Sequence, residues 1–440
     1  MKKLISMLLA GLITLLPLSG CCFNRTLLSP DEPVTLTMWH VYGEQVDSPM
    51  NRLIREFNST IGRDKGIIID VTLMSNSAQI GEKLAKSQAE LPGEPDMPDL
   101  FFAHPSNAAA LGADKLIDWN DCFSEEELTQ YVPEFLSEGI VDGRMIVFPV
   151  SKSTHLLFLN GSQFQRFSRD TGVVPEDLAT WEGFFDAAEK YCDWSGGHAF
   201  CAIDYLMRAV ELYALSGGKE VAVQNDWYDT EDEVLRRAWE PFAEALVKGH
   251  ICVSDLYANT QVMTGEVLAG LSSSAAILYY NDVVTYPDNT SEPMELMVLP
   301  SPQPAGKPAY ITQAGVGLCS YKTTEQKAEA ASAFAHWLTE PERNLDFVAD
   351  TGYLPVNKES FEQMEDYPFK DGYAELFSAL KDSMENATAV VETASEEYYD
   401  RVHQFYSELR SGQQEFTRRY QSGESAEDLA EETWRLLCGN

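Results

Sequence analysis

Three short apolar runs, separated by two helical patterns, constrain the fold of this chain more than any other feature of its sequence. The runs comprise residues 34–39, 67–71 and 98–103. Ser48 followed by Pro49 is typical of a helix start, and a second helix is predicted over residues 78–90. The run at 67–71 does not alternate with polar residues, which suits a strand buried on both faces of a parallel sheet. This β-α-β-α-β order predicts an α/β fold with right-handed crossovers.

The rest of the chain combines further strand-like runs with long helical stretches. Additional strands are predicted at residues 145–149, 156–160, 275–280 and 310–320. The pattern is mostly helical up to about residue 270 and again over the last hundred residues. With 440 residues, the chain exceeds the size of one typical core, so two or three lobes are expected.

The first residues have the pattern of a secretory signal. Lys2 and Lys3 precede an almost wholly apolar run over residues 4–18, and small residues follow. The run is short for a membrane-spanning helix, which needs about 20 residues. A retained helical anchor is the alternative interpretation of this segment.

The stretch Leu18-Ser19-Gly20-Cys21 resembles the lipobox of bacterial lipoproteins. In that family the cysteine is lipidated and becomes the first residue of the mature chain. The resemblance implies a signal peptide over residues 1–21, lipidation of Cys21 and a tether over residues 22–33. Lipid chains bind a bilayer through about 0.8 kcal/mol per buried CH₂ group. The folded part would then lie outside the cytoplasm, anchored to the cell membrane.

The net charge of the chain narrows the choice of partners. The sequence has 32 Lys and Arg residues against 69 Asp and Glu residues, which gives a formal charge of −37 at pH 7. Such a charge repels nucleic acids and anionic lipid headgroups. The sequence therefore predicts no nucleic-acid partner.

Six cysteines follow the lipobox region, and an even number in an exported protein permits disulfides. Cys192 and Cys201 are close enough in sequence to be the favoured pair. Together with His198 they could instead bind a metal ion, although no CxxC or HxxxH motif supports that reading. Buried free thiols are the default for the other cysteines.

The motifs of common exported enzymes are missing from the sequence. It contains no HExxH and no GxxxxGK[ST] motif, and residues 270–274 lack the final glycine of GxSxG. Nothing singles out two of the 69 acidic residues as a glycosidase pair. The sequence thus predicts no catalytic residue, cofactor or metal site, with an exported carbohydrate-active enzyme kept as an alternative.

Aromatic and hydrogen-bonding residues recur where the predicted strands end, which is where ligands bind in open α/β sheets. Aromatic rings cover the C–H faces of sugars, and amides, hydroxyls and carboxylates match their hydroxyl groups. The pattern therefore predicts a site for a polyhydroxylated small molecule. The candidate ligand-binding residues are Trp39, His40, Tyr42, Glu44, His104, Ser106, Lys152, Ser153, Tyr280, Asn281 and Asp282.

The order of these segments resembles that of the extracellular solute-binding proteins of ABC sugar importers, a family that includes maltose-binding and glycerol-phosphate-binding proteins. Each motif is short, but together they span the chain from about residue 34 to its end. The similar stretches are residues 36–40, 98–102, 147–150, 158–160, 180–182, 315–318 and 352–356. Where the family has Gly-x-Trp, this chain has Tyr280-Asn281-Asp282.

The resemblance implies a two-lobed α/β fold of the periplasmic-binding-protein type, with a hinge between the lobes. Lobe 1 is predicted at residues 34–149 and 309–352, and lobe 2 at residues 150–308 and 353–440. A ligand would bind in the cleft between the lobes, where Gly315 and Tyr353 would also contribute. The protein would then deliver its ligand to the permease subunits of an ABC transporter.

The predicted ligand is a monosaccharide or oligosaccharide. A phosphate-bearing solute fits less well, because Lys152 is the one cation that is well placed in the predicted loops. A surface adhesin or sensor with the same fold is the second alternative to a transport receptor.

Overall fold

The computed structural model describes residues 26–40, 42, 48–73, 77–221, 223–224, 227–370, 372–391 and 396–439. The predicted leader, the lipobox and the first residues of the tether lie outside this part of the chain. Among the described residues, none of the helices has both the length and the apolar character that crossing a bilayer requires.

The first sheet has five strands and contains the three strands predicted from the amino-terminal runs. Its first three strands are parallel, and the fourth runs antiparallel to both of its neighbours, the third and the fifth. The observed β-α-β-α-β order confirms the predicted α/β fold. In spatial order the strands are Ile67–Leu73, Val34–His40, Leu100–Ala103, Gly317–Ser320 and Phe148–Pro149.

The second sheet also has five strands. Its first three strands are parallel, and the fourth runs antiparallel to both of its neighbours, the third and the fifth. In spatial order they are Ile251–Cys252, Cys201–Ile203, Ala269–Ser273, His155–Asn160 and Leu296–Pro300. Four two-stranded ribbons pair Tyr310–Gln313 with Thr388–Val391, Val283–Thr285 with Ser291–Pro293, Val223–Gln224 with Trp227–Tyr228, and Ile140–Val141 with Arg144–Met145.

Helices cover the sheets and begin where the sequence supplies caps. Ser48 accepts a hydrogen bond from the Asn51 N–H at the start of the first described helix, as predicted. The α-helices are Pro49–Ser59, Ile61–Lys65, Ser77–Gln88, Pro105–Leu111, Glu125–Leu128, Pro133–Glu138, Gly161–Thr171, Trp181–Ser195, Leu206–Ser216, Glu233–Lys248, Ala258–Met263, Glu325–Leu338, Pro341–Thr351, Lys358–Gln363, Tyr373–Asn386, Glu396–Gln421 and Ala426–Leu437. Short 3₁₀ helices form at Ala113–Lys115, Trp119–Asp121, Pro175–Ala179, Ser274–Tyr279 and Met364–Asp366.

Three segments carry the chain between the two sheets and hydrogen-bond to one another. In chain order, the first crossing contains residues 151–153, the second residues 313–315 and the third residues 353–354. Lys152 and Leu354 exchange two backbone hydrogen bonds of 3.1 and 2.6 Å, and Ser153 and Ala314 exchange two of 2.9 and 3.0 Å. Gly315 has a φ of +127°, and a Cβ at this position would lie 3.2 Å from the Ser151 carbonyl oxygen. The close approach of these backbones therefore requires glycine.

Two strand predictions were wrong in their boundaries. Residues 275–280 belong to a 3₁₀ helix and its cap, and the strand before them is Ala269–Ser273. The strand Ala269–Ser273, which has small side chains, pairs with strand His155–Asn160 inside the sheet. This long-range pairing outweighs the β-forming composition of the six residues that follow. The run predicted at 310–320 splits into two strands of different sheets, with the crossing at Ala314 between them.

The predicted disulfide between Cys192 and Cys201 is absent from the structure, where both residues are free thiols. Cys201 lies fully buried on a strand, and its Sγ donates to the Ala202 carbonyl oxygen at 3.3 Å. Cys192 lies half-buried near the end of helix Trp181–Ser195. Apolar packing thus accounts for Cys201 without a bridge.

Candidate ligand-binding site

The carboxyl ends of the parallel strands in both sheets face the three crossing segments. In the first sheet, strand Val34–His40 leads to Tyr42, which contacts Ser151 in the first crossing. In the second sheet, Ser273 at the end of its strand pairs with His155, directly after that crossing. Ligands of open α/β sheets bind outside such carboxyl ends. The two edges therefore define a candidate cleft with the crossing segments as its floor.

Tyr42 joins the edge of the first sheet to two of the crossings. Its hydroxyl hydrogen-bonds with the Ser151 hydroxyl at 3.2 Å. Its ring makes edge-to-face contacts with Phe102, Phe347 and Tyr353, at centroid distances of 4.9, 5.1 and 5.7 Å. Burial raises the pKa of Tyr42 well above its usual range. Tyr42 is therefore a neutral, packed phenol at the floor of the cleft.

His40 holds the start of the loop that contains Tyr42. Its Nδ1 accepts the Tyr42 N–H at 3.2 Å, which leaves Nε2 to donate to the Asn51 Oδ1 at 3.0 Å. The ring is fully buried, and burial lowers the pKa of His40. Trp39, on the opposite face of the strand, packs in an apolar cluster with Ile80 and Phe101. The structure thus buries both side chains at the first sheet.

Lys152 lies at the cleft floor with its charge already paired. Its Nζ contacts the Glu138 Oε2 at 2.5 Å, and the two side chains are 2% and 5% exposed. The Gln313 Nε2 donates to the same oxygen at 2.7 Å. Burial lowers the pKa of Lys152, and the Glu138 carboxylate opposes that shift. These contacts join the first two crossings to helix Pro133–Glu138.

The remaining candidates on the side of the first sheet differ in their burial and contacts. His104 is half-buried at the start of helix Pro105–Leu111, and its pKa is lowered by burial and by the nearby charge of Lys152. Ser106 is exposed on the first turn of the same helix. Ser153 is buried, and its backbone is paired with the second crossing. Glu44 lies outside the described residues.

Three tyrosines project from the edge of the second sheet. Tyr205 follows strand Cys201–Ile203, Tyr257 follows Ile251–Cys252, and Tyr279 follows Ala269–Ser273. They are 41%, 70% and 66% exposed. Of all the Phe, Trp and Tyr side chains that the structure describes, these three are the most exposed. Exposed aromatic rings gathered at one edge mark a binding surface.

Asp204 ties the loops of these tyrosines together. Its Oδ2 accepts from the Ser272 hydroxyl at 2.6 Å, and its Oδ1 accepts from the Ala258 N–H at 2.8 Å. Ala258 directly follows Tyr257, and Asp204 directly precedes Tyr205. Burial raises the pKa of Asp204 to about 6. The carboxyl group therefore fixes the positions from which two of the three exposed rings project.

One face of Tyr205 is covered from inside the protein. The ring stacks on His155 with a centroid distance of 4.6 Å and an interplanar angle of 10°. Burial and the charge of Arg208 lower the pKa of His155 to about 3, so the imidazole is neutral at physiological pH. The stacked pair fixes the ring of Tyr205 at the cleft.

Tyr280, which the sequence offers as a candidate, is half-buried, whereas the neighbouring Tyr279 is exposed. Tyr280 stacks on Phe158 at 5.0 Å, and its buried hydroxyl has no hydrogen-bond partner among the described residues. Tyr279 projects from the surface instead. The pKa of Tyr353 is raised to about 12, first by burial and then by the neighbouring Tyr279. Tyr279 thus lies beside the third crossing.

Asn281 and Asp282 form the exposed start of a hairpin next to Tyr280. The Asn281 Oδ1 accepts from the Val283 N–H at 2.9 Å, and the Asp282 carbonyl oxygen accepts from the Met294 N–H at 2.7 Å. Tyr353 is half-buried in the third crossing, next to Tyr42. Gly315 contributes its backbone conformation to the second crossing.

Tyr205 and Tyr257 were missed at the sequence level. Both follow strands of two or three residues inside a region whose pattern is mostly helical. A signal was present at residues 200–205, where a short apolar run ends in Asp204 and Tyr205. That order repeats the strand-then-polar pattern of the other candidate loops.

Two α/β lobes, joined by three crossings around a cleft, define a two-lobed ligand-binding protein. The sequence matches the model of the bacterial extracellular solute-binding protein family over residues 52–372. The chain therefore belongs to that family, whose members bind solutes and are not enzymes. No curated protein matches the sequence.

Solved structures with similar folds cover most of the chain. A cyclic α-maltosyl-1,6-maltose binding protein from Arthrobacter globiformis has a TM-score of 0.68 and 16% identity, over 92% of this chain and 98% of that chain. An ABC substrate-binding protein from Listeria monocytogenes in complex with cycloalternan has a TM-score of 0.67 and 14% identity, with the same coverage of both chains. UgpB from Mycobacterium tuberculosis in complex with glycerophosphocholine has a TM-score of 0.67 and 16% identity, again with the same coverage of both chains. These matches confirm the predicted two-lobed fold.

Proposed function

We propose that this protein is the lipid-anchored receptor of an ABC importer and captures a monosaccharide or oligosaccharide between its two lobes. The observation that carries the proposal is the clustering of the three most exposed described aromatic rings at one edge of the cleft. Aromatic faces stack on the C–H faces of sugars, while flanking polar groups bind the hydroxyls. Tyr205, Tyr257 and Tyr279 would supply this stacking surface.

The charges beside the cleft favour a neutral ligand over a phosphate. Lys152 is paired with Glu138, and the Arg208 Nη1 donates to the Glu211 Oε2 at 2.9 Å. Both cations are therefore already neutralised within the protein. Of the three similar structures named above, one is a cyclic α-maltosyl-1,6-maltose binding protein, one holds cycloalternan and one holds glycerophosphocholine. The saccharide class therefore has precedent in the fold.

Ligand capture would close the lobes about the crossing segments. Closure follows from contacts that the ligand makes more strongly in the closed state than in the open state. We assign lobe 1 to residues 34–149 and 309–352 and lobe 2 to residues 150–308 and 353–440, as the sequence suggests. The hydrogen bonds of Lys152 and Ser153 to the other two crossings support a hinge at this place.

Lipidation of Cys21 would hold the receptor beside its permease. The support is the lipobox-like stretch, because Cys21 lies outside the described residues. A tether raises the effective concentration of receptor at the membrane without adding any new contact. The captured solute would pass from the cleft to the permease subunits.

Thermal unfolding of the leaderless chain with a ligand panel tests this function. The panel contains maltooligosaccharides, cyclic glucans, chitooligosaccharides and glycerophosphocholine. A ligand at about 100 times its dissociation constant adds about 2.7 kcal/mol to the free energy of unfolding. We expect a saccharide to raise the unfolding temperature while remaining uncleaved. Stabilisation by glycerophosphocholine alone, or cleavage of the saccharide, would contradict the proposal.

Alanine variants locate the binding surface. Y257A and Y279A should weaken saccharide binding by about 1–2 kcal/mol each, since each removes a stacking surface. L91A is the matched control, because Leu91 is an exposed apolar residue, 47% exposed, that follows helix Ser77–Gln88 away from the cleft. Equal effects of the three substitutions on affinity would place the ligand elsewhere.

A further inference from the structure

The carboxyl group of Asp204 lies where three loops of the cleft meet. It is mostly buried at the end of strand Cys201–Ile203, and its backbone N–H donates to the Leu271 carbonyl oxygen at 3.1 Å. Its two oxygens accept from Ser272 in the neighbouring strand and from Ala258 at the start of helix Ala258–Met263. Each carboxyl oxygen therefore holds a different element of lobe 2.

Among the described residues, no cation compensates the charge of the Asp204 carboxylate. Its surroundings consist of the two hydrogen-bond donors and three groups that interact with it electrostatically, namely Cys201, Cys252 and Tyr280. Cys201 lies on the same strand, Cys252 on the adjacent strand, and Tyr280 at the end of the 3₁₀ helix. Burial raises the pKa of each of these three groups, so all are neutral near pH 7.

We propose that Asp204 is a titratable positioning residue, whose ionised carboxylate holds the loop of Tyr257 in its binding position and whose protonation in mildly acidic solution releases that loop. The consequence for ligand affinity rests on the function proposed above. The role of Asp204 in positioning the loop stands apart from the identity of the ligand.

The hydrogen bonds explain the direction of the effect. A carboxylate accepts charge-assisted bonds, which are about twice as strong as neutral ones. Protonation turns one oxygen into a donor and weakens the other as an acceptor for the Ala258 N–H. The Ala258 hydrogen bond lowers the pKa of Asp204, so release of this bond while the carboxyl group stays buried favours the protonated form. Because burial raises the pKa of Asp204 to about 6, this change falls between pH 7 and pH 5. If ligand binding requires the ionised form, affinity falls about tenfold over that interval.

The ligand-free protein provides the first test. In the leaderless chain labelled with ¹⁵N, the Ala258 amide resonance should titrate with a midpoint near pH 6 in the wild type and should not titrate in D204N. Asparagine can still accept from Ala258 through Oδ1 and donate to the Ser272 hydroxyl through Nδ2. E295Q is the matched control, because Glu295 is an exposed carboxylate outside the candidate binding residues, and the Ala258 resonance of this variant should titrate as in the wild type.

S272A separates titration from a merely structural role. It removes a hydrogen bond that favours the carboxylate, so the midpoint of the Ala258 titration should move to higher pH. An Ala258 resonance that is insensitive to pH, or that titrates identically in wild type and D204N, would overturn the proposal. An unchanged midpoint in S272A would also count against it.

Maltotriose is the probe for the link to affinity. Calorimetry should show about tenfold weaker binding at pH 5 than at pH 7 in the wild type and no pH dependence in D204N. A pH-independent affinity alongside a titrating Ala258 resonance would overturn the link. Failure of maltotriose to bind at any pH would contradict the saccharide function, while the amide titration would still decide the role of Asp204.

Discussion

The substitution K152M tests whether the buried ion pair holds the crossings together. It removes the cation from Glu138, whose side chain is 5% exposed and would keep the Gln313 amide as its remaining polar partner. Removing one partner of a buried pair leaves a buried charge uncompensated and costs about 3–5 kcal/mol. For a chain of this length, that corresponds to a fall of about 4 °C in the unfolding temperature.

The double variant K152M/E138M supplies the decisive comparison. Replacing both members with apolar side chains of similar volume removes the uncompensated charge, so most of the lost stability should return. Urea unfolding of wild type and both variants, followed by circular dichroism, measures the free energies. R63M is the control, because the Arg63–Asp64 pair is exposed, and it should match the wild type. A K152M variant as stable as the wild type, or a double variant no more stable than K152M, would refute the reasoning.

Three further predictions follow from individual residues. The pKa of Asp204 is raised from 3.8 to about 6, so between these pH values the folded state binds more protons than the unfolded state. The free energy of unfolding of the wild type therefore falls as the pH rises through this range. In urea unfolding, D204N should be up to about 3 kcal/mol more stable than the wild type at pH 8 and should differ little from it at pH 4. G315A should lose about 1–3 kcal/mol, because its φ of +127° suits glycine alone, whereas G306A, at a φ of +67° in open space, should lose less; equal losses would contradict this. Alkylation of the unreduced, denatured protein should label both Cys192 and Cys201 in mass spectrometry, and protection of the two together would restore the predicted disulfide.

The fold was predictable where local sequence patterns determine it. The strand around Leu36 and the cap at Ser48 each show their structure within a few residues. The run at residues 67–71 does form a strand, but its expected burial on both faces was wrong, because the strand lies at the edge of the sheet and Ile68 is 46% exposed. The 3₁₀ helix at Ser274–Tyr279 was not predictable in this way, because its residues have the composition of a strand. Pairing of the preceding small residues with a distant strand decides the outcome there.

The candidate site was less predictable because its members are far apart in sequence. Lys152 was expected to face a ligand, yet its Nζ is paired with Glu138 from another element, and the same carboxylate oxygen accepts from Gln313. The one-residue shift between Tyr279 and Tyr280 follows from the misplaced strand end and reverses which ring is exposed. The contact between Asp204 and Ala258 spans 54 residues and leaves no local signal.

A crystal structure of the leaderless chain with the saccharide that stabilises it most would test the central claim directly. We predict a sugar ring stacked on Tyr257 or Tyr279, between the carboxyl edges of the two sheets. A saccharide bound instead in the groove lined by Leu178, Pro300 and Asn386, on the side of lobe 2, would contradict the account.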